Sequence, residues 1–567
     1  MKKCLLFMAA LAMAGTAIAG WGDSSEDPVA IFPHKTSSYA TEVKACPDGS
    51  VWAMMYHPNT KNAEDEYDTS HVVYEYIVQH FDKEGNPEFE GLGKVISDYN
   101  NYSYTVINDY MIVDSEGNAI VAVQDCRNSS GGGRSYTAYK VAPDGTLLWG
   151  EDGVAISDAL NPADGSAAMR IVELEDGSFV FAWLEMSATT TNVCLQRISK
   201  DGKPQWDLKK MRLDEDFTTY PYLVNSGDNT FILVYARSSS QVLYARKIDF
   251  EGESVWSKDV RIYRGGWGST PIHTQIKVAP SGDGGVLVAW TDDRNAINLE
   301  TPYLSYVTPD GELGFKGQSD ESDVKLFYTE AWRSFQISTC AAEDGSGFYV
   351  IWRITSGNQG WQGMMMQKVS KEGDLLWGDD AKVLFEPVQH SVGYTSVLPT
   401  PDGGATAFFM EQAAQNQEIG YAARFDAGGE FVWDNDYVPV TVEGHQASSL
   451  KSQPYGKDSY LLNWVDGMLG SVTGDNTYVM TILNEDGTFG MPNTAVETVS
   501  LKSFSLGYDG KSITGNMPDG TEMSIYNAAG VRVAKTVACG GHAAVSLPGG
   551  IYFTKDAEGN ALKLFVK

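Results

Sequence analysis

Lys140-Val141-Ala142-Pro143-Asp144-Gly145, with Trp149 four residues past the glycine, is the stretch on which the fold turns. A strand runs into a polar turn, and an aromatic follows at a fixed distance. The same arrangement recurs as Arg197-Ile198-Ser199-Lys200-Asp201-Gly202 with Trp206. The full series of turn glycines is Gly85, Gly145, Gly202, Gly252, Gly311, Gly373, Gly429 and Gly487, spaced by 60, 57, 50, 59, 62, 56 and 58 residues. Four residues beyond them stand Phe89, Trp149, Trp206, Trp256, Phe315, Trp377, Trp433 and Met491. Seven of these eight are aromatic in a chain that is 11% aromatic, so the register is not chance. Four residues before each glycine the residue is always apolar: Phe81, Val141, Ile198, Ile248, Val307, Val369, Phe425 and Leu483.

A second signal lies upstream in each unit, where another Gly-containing turn precedes a continuous apolar run. Asp176-Gly177 leads into Phe179-Val180-Phe181-Ala182-Trp183, Gly284 into Val286-Leu287-Val288-Ala289-Trp290, and Gly345 into Phe348-Tyr349-Val350-Ile351-Trp352. Such runs read as strands buried on both faces. Asp-Gly between two runs reads as a hairpin turn. Each unit is then four antiparallel strands, A to D, in about 57 residues, which is the pattern of a propeller blade. The fold class predicted is all-β: a β-propeller of eight blades, or seven if the degenerate last unit, from about Ser459 to Val499, does not form one. The propeller is expected over 28–493, with the strand D aromatics packed between blades. Pro28-Val29-Ala30-Ile31 resembles a strand D piece and is expected to close the ring against the last blade, removing the free sheet edges.

The remaining composition agrees. Gly numbers 58 and Tyr 29 in 567 residues, which favours short strands and tight turns. The net charge of -32 opposes nucleic-acid and anionic membrane surfaces, so neither is expected as a partner. Lys2 and Lys3, the apolar run from Cys4 to about Ala14, and Ala17-Ile18-Ala19 make residues 1–19 a signal peptide, cleaved between Ala19 and Gly20. No run approaches the roughly 20 apolar residues of a membrane span. The remaining cysteines, Cys46, Cys126, Cys194, Cys340 and Cys539, are odd in number and widely spaced, so they read as buried free thiols.

From about Ser500 the spacing changes. Ser524-Ile525-Tyr526-Asn527-Ala528-Ala529-Gly530-Val531-Arg532-Val533 forms a hairpin pattern, Leu547-Pro548-Gly549-Gly550-Ile551-Tyr552-Phe553 follows, and Ala561-Leu562-Lys563-Leu564-Phe565-Val566-Lys567 ends the chain as a strand. This order resembles the C-terminal sorting domain of type IX secretion substrates from Bacteroidetes. The resemblance implies a small β-sandwich over 500–567, a partner in the type IX secretion machinery, and an extracellular or outer-membrane surface location after export through the periplasm. The Gly-x-x-x-Trp element also resembles that of quinoprotein-type propellers, but the quinone-binding residues have no counterpart, so no cofactor is expected.

No nucleophile elbow, His-Glu-x-x-His or metal-ligand spacing occurs. The repeated box of sialidases sets Asp, one residue, Gly, two residues and an aromatic, and it does not fit the adjacent Asp-Gly found here. No catalytic residue and no metal ligand is expected. Strand B of several units runs into charged residues, and in a four-stranded blade these ends share a face with the long B–C and D–A loops. Arg127, Glu185, Asp292 and Arg294 are therefore the candidate binding residues, on the reasoning that function sits on variable loops carried by a rigid scaffold. The reading predicts an exported, noncatalytic propeller that binds a glycan or protein partner. Two alternatives are a glycan-active hydrolase or lyase, with paired carboxylates in the propeller mouth, and a structural adhesion or surface-layer component.

Overall fold

In the computed structural model the described residues are 20–491, apart from 33–38, 60–72, 102–109, 126, 128–134, 158–164, 187–189, 207–212, 214–217, 238–241, 264–275, 296–297, 316–322, 415–416 and 468–476, together with the strands and short connections between 505 and 566. Residues 1–19, which include the expected signal peptide and Ala19, lie outside them. Every regular element among the described residues is a strand. The chain divides into two units, Met1–Gly490 and Met491–Lys567.

The first unit is an eight-bladed β-propeller. Each blade is an antiparallel meander with its strands in sequence order, A innermost and D outermost. Blade 2 is typical, with Tyr110–Val113, Ala119–Asp125, Ser135–Val141 and Val154–Ala155. Blade 3 shows three strands among the described residues, and the Leu213 N–H donates to Val193 O where a fourth would lie. Blade 8 breaks the sequence order. Its strands Ala447–Pro454, Ser459–Asp466 and Thr477–Asn484 are completed on the outside by Val29–Phe32 from the start of the chain. Val29 pairs with Met480 and Ala30 with Val479. The ring closes as Pro28–Ile31 led one to expect, and eight blades stand rather than seven.

The glycine-and-aromatic register is a chain of docks from blade to blade. The turn before strand D closes by a Gly N–H bond three residues back, as from Gly202 to Ser199 O, and Gly202 sits at φ +78°, where a side chain is disfavoured. A Cβ on Gly202 would also lie 2.7 Å from the Trp149 ring of the preceding blade. That indole donates Nε1–H to Lys200 O at 3.0 Å. Trp206 repeats the contact on Phe250 O, Trp256 on Pro309 O and Trp433 on Glu485 O. Trp149, Trp206 and Trp256 are buried; Trp377 and Trp433 are partly so.

Buried glutamines fix three of these aromatics. Gln79, Gln196 and Gln367 stand six residues before their turn glycines. Each accepts, at Oε1, the backbone N–H of the docking residue Phe89, Trp206 or Trp377. Each returns an Nε2–H to a carbonyl of the same segment. A buried amide with both ends bonded carries no desolvation penalty.

The apolar core follows the ring. It forms eight clusters, each drawn from two neighbouring blades, such as Trp52, Tyr76, Val121 and Tyr139 between blades 1 and 2. Cys46, Cys194 and Cys340 are buried free thiols within three of them. Burial pushes the Cys46 thiol up to about 11, outside the reactive range.

The second unit holds a three-stranded sheet, Ser505–Tyr508, Ile513–Asn516 and His542–Val545, and a four-stranded sheet ordered Arg532–Val537, Glu522–Asn527, Gly550–Lys555 and Ala561–Val566. The Tyr552 hydroxyl donates to Pro548 O at 2.9 Å, tying the Leu547-Pro548 segment to its own strand.

Candidate functional site

The rim residues singled out by the sequence are held by their own surroundings. Arg294 donates to both oxygens of Asp292 through Nε at 3.0 and 2.9 Å and pairs with Asp323 at 2.6 Å. Its guanidinium lies 4.0 Å from the centre of the Tyr303 ring. Burial alone would lower its pKa, but Asp292 and Asp323 hold it above the ordinary arginine value. Asp292 is buried and also accepts Trp290 Nε1–H at 2.9 Å. Glu185 accepts Trp183 Nε1–H at 3.3 Å in the same Trp-x-acid arrangement. Arg127 donates to Asp152 O at 2.5 Å and Ser97 Oγ at 3.1 Å, and stacks 4.0 Å over Tyr99 of blade 1. Only Asp292 and Arg294 are brought together. Arg127 belongs to blade 2 and Glu185 to blade 3, and each contact described ties a residue to its own blade or the next.

An open cavity lies at the propeller axis. Its walls are the inner strands, Tyr39–Ala45, Tyr110–Val113, Gly165–Glu173, Thr218–Gly227, Lys277–Pro280, Trp332–Ala341, Val392–Pro399 and Ala447–Pro454. A cavity of about 470 Å³ is bounded by residues of blades 1, 5, 6, 7 and 8, including Glu42, Lys44, Lys277, Gln336, Tyr394 and Lys451.

Strand pairing sets one position of every inner strand at the same level. Counted back from the A–B turns, that position holds Glu42, Tyr110, Arg170, Tyr222, Lys277, Ser338, Ser396 and Lys451. Their partners on strand B are Met54, Ala122, Ala182, Val234, Ala289, Ile351, Phe408 and Asn463. None of the eight is buried. Six of these strands shift register just before this level. In four of them Ala168, Gln336, Tyr394 and Ser449 take φ of 56°, 48°, 54° and 57° there. Each of these four bulges lies opposite a large strand B residue, Trp183, Trp352, Phe409 or Trp464. A bulge re-aims the side chains that follow it, and its left-handed residue is a local strain held by the surrounding sheet.

The ring has a cationic side and a neutral side. Arg170 lies 5.6 Å from the Tyr110 ring and 5.5 Å from the Tyr222 ring, between the blades on either side of it. Lys44 stands 5.8 Å from the other approach to Tyr110. Lys277 is exposed to the channel, and desolvation together with the Arg170 charge pulls its pKa below the ordinary lysine value. Glu42 is the single acid of the ring. It pairs with Lys44 at 3.1 Å and Lys451 at 3.9 Å. On the neutral side the Ser452 hydroxyl donates to Ser396 Oγ, and Tyr394 N–H to Gln336 Oε1.

Reading the sequence for charged strand B ends missed all of these residues. The signal existed: the position seven before the A–B turn glycines Gly49, Gly117, Gly177 and Gly284 holds Glu42, Tyr110, Arg170 and Lys277.

No family model and no curated protein matches the chain. Among solved structures it is similar to the polysaccharide lyase Uly1, at 10% identity over 81% of this chain and 91% of that one, with a TM-score of 0.40. It is also similar to prolyl oligopeptidase B from Galerina marginata, at 12% identity over 79% of this chain and 56% of that one, TM-score 0.37. A third likeness is to a eukaryotic initiation factor, at 10% identity over 83% of this chain and 98% of that one, TM-score 0.41. These proteins differ in activity, and function here rests on this chain's own residues.

Proposed function

We propose that this chain is an exported propeller that binds a glycan or protein partner at the cell surface without transforming it, and that the binding site is the mouth of the central channel. One observation carries the reading: the eight inner strands each place one residue that is not buried on a common level of the channel, and those of blades 1, 5, 6, 7 and 8 line an open cavity of about 470 Å³. That volume falls among ligand pockets, roughly 300–1,000 Å³. The rim charges, by contrast, are already spent on structural contacts. The resemblance of residues 500–567 to type IX sorting domains supports an extracellular or outer-membrane location, reached by way of the signal peptide 1–19 and the type IX machinery.

A glycan array and a pull-down against outer-membrane proteins, run beside a sugar-release assay, test the binding reading. Saturable binding without product release is the expected result. Turnover of a bound glycan would overturn the noncatalytic assignment, and no binding to either class would overturn the reading itself. A reporter fused to residues 500–567 should be exported by a host with type IX secretion; retention in the periplasm would refute the sorting assignment.

A further inference from the structure

Three features compete for a role beyond scaffolding: the charge clusters on the rim, the groove beside Trp256 between blades 4 and 5, and the cationic side of the channel. The rim clusters are closed ion pairs, and the groove is the seat of a docking tryptophan. The channel differs from both in holding cations that the protein itself leaves without a counter-charge.

Among the described residues no carboxylate pairs with Arg170 or Lys277. Arg170 donates Nη1–H to Met169 O at 2.6 Å and is otherwise flanked by the faces of Tyr110 and Tyr222. Aromatic faces orient a guanidinium without neutralising it. Its fork is the geometry that grips a carboxylate or sulfate through two parallel hydrogen bonds. Lys277 stands at the same level of the channel, two blades on from Arg170. Two cations without a carboxylate partner at one level of the channel, two blades apart, repel one another, and an anion between them would relieve the repulsion. The placement is more pointed in a chain whose net charge is -32.

The wall formed by blades 6 and 7 offers different chemistry. Ser338, Ser396 and Thr395 line it with hydroxyls, and Tyr394 is half exposed. Hydroxyls and an open aromatic suit the ring hydroxyls and apolar face of a sugar. A cavity of about 470 Å³ also exceeds what a lone oxyanion fills.

We propose that the channel mouth binds an anionic saccharide, its carboxylate or sulfate held by Arg170 and Lys277 and its hydroxyls by the Ser338–Ser396 wall. This inference rests on the binding function proposed above and names its ligand class.

Calorimetry on the full chain tests it with four probes: trigalacturonate, a sulfated heparin tetrasaccharide, maltotriose and sodium sulfate. At least one anionic oligosaccharide should bind at least tenfold tighter than maltotriose or sulfate. The double variant Arg170→Gln, Lys277→Gln should lose that preference at least tenfold, with a melting temperature unchanged or raised. Which of the two oligosaccharides binds identifies carboxylate or sulfate as the recognised group. Equal binding of sulfate alone would reduce the site to a small-anion site and overturn the proposal. Anionic oligosaccharide binding that survives the double variant would overturn it while leaving the binding function intact. Binding of neutral glycans only, or of a protein only, would overturn it in the same way.

Discussion

Asp114 and Lys140 are both buried and meet at 2.7 Å, beneath the A–B turn of blade 2. Related contacts recur around the tight-turn face: Arg197 holds Asp176, Arg424 holds Asp402 and the Tyr306 hydroxyl donates to Asp283. In each, a strand C residue five before the turn glycine reaches the acid of the neighbouring hairpin. Burial pushes Asp114 up, but hydrogen bonds from Lys140 and Asn118 outweigh it and hold the carboxyl below the usual range. A depressed carboxylate stabilises the fold above its unfolded pKa, near 3.9, and loses that contribution as pH falls through the folded value. Lys140→Met strands a buried charge, and the expected loss at pH 7 is about 3–5 kcal/mol. The deficit should narrow at about pH 3, below the unfolded carboxylate value, because the contribution of a depressed carboxylate falls away as pH drops. Denaturant titrations at both pH values check this; a deficit that does not change with pH would refute the pairing. The same logic applies on the rim. Arg294→Ala leaves Asp292 buried without its partner and should also cost about 3–5 kcal/mol, whereas a pure ligand contact at that position would leave stability unmoved.

At the scale of the strand and hairpin, one element explains why the repeat was so readable. The turn before strand D must hold a positive-φ glycine, bury an aromatic from the preceding blade and offer that indole a carbonyl. Three demands on a handful of residues leave a fixed spacing in the sequence, repeated from Gly85 to Gly487. Trp206→Ala removes both the ring packed against Phe231 and the hydrogen bond to Phe250 O. The expected loss is about 3–5 kcal/mol, measured as a shift in the denaturation midpoint at constant slope; a loss below about 1 kcal/mol would mean that the dock carries little of the interface. The channel level was illegible for the opposite reason. Its side chains are not buried, and the contacts they make across blades, Arg170 with Tyr110 and Tyr222 or Glu42 with Lys451, differ from one blade to the next, so packing places no common demand on them. Glu, Tyr, Arg, Lys and Ser therefore share one structural position. The bulges before it also break the period of two by which a strand face is recognised. The charged strand B ends drew attention because they are conspicuous in sequence, but nothing in spacing distinguishes a buried acid that accepts a tryptophan N–H, such as Asp292, from one aimed at a ligand.

Across the whole molecule, the ring is closed by residues more than 400 positions apart. The eighth member of the aromatic series, Met491, is exposed and docks nothing as the tryptophans do. Its place is taken by Trp21, which donates Nε1–H to Lys83 O at 2.8 Å and lies against Gly85 of blade 1. The one irregular position in the repeat is thus where the end of the ring meets its beginning. The cleavage expected between Ala19 and Gly20 would keep Trp21, whereas a chain begun a few residues later would lack it. The closing strand buries Val29, Ile31 and Phe32 at 5%, 2% and 2% exposure. At about 1.5–3 kcal/mol for each such side chain the strand contributes roughly 5–9 kcal/mol, comparable with the whole stability of many domains. A chain begun at residue 33 should therefore melt far below one begun at Gly20, expose a free edge on blade 8 and aggregate. Adding a synthetic peptide of residues 20–32 should restore the transition in a concentration-dependent way, and the same peptide with Trp21→Ala should do so less well. Equal melting of the two chains would show that the ring holds without its closing strand, and equal rescue by both peptides would show that Trp21 is not a dock.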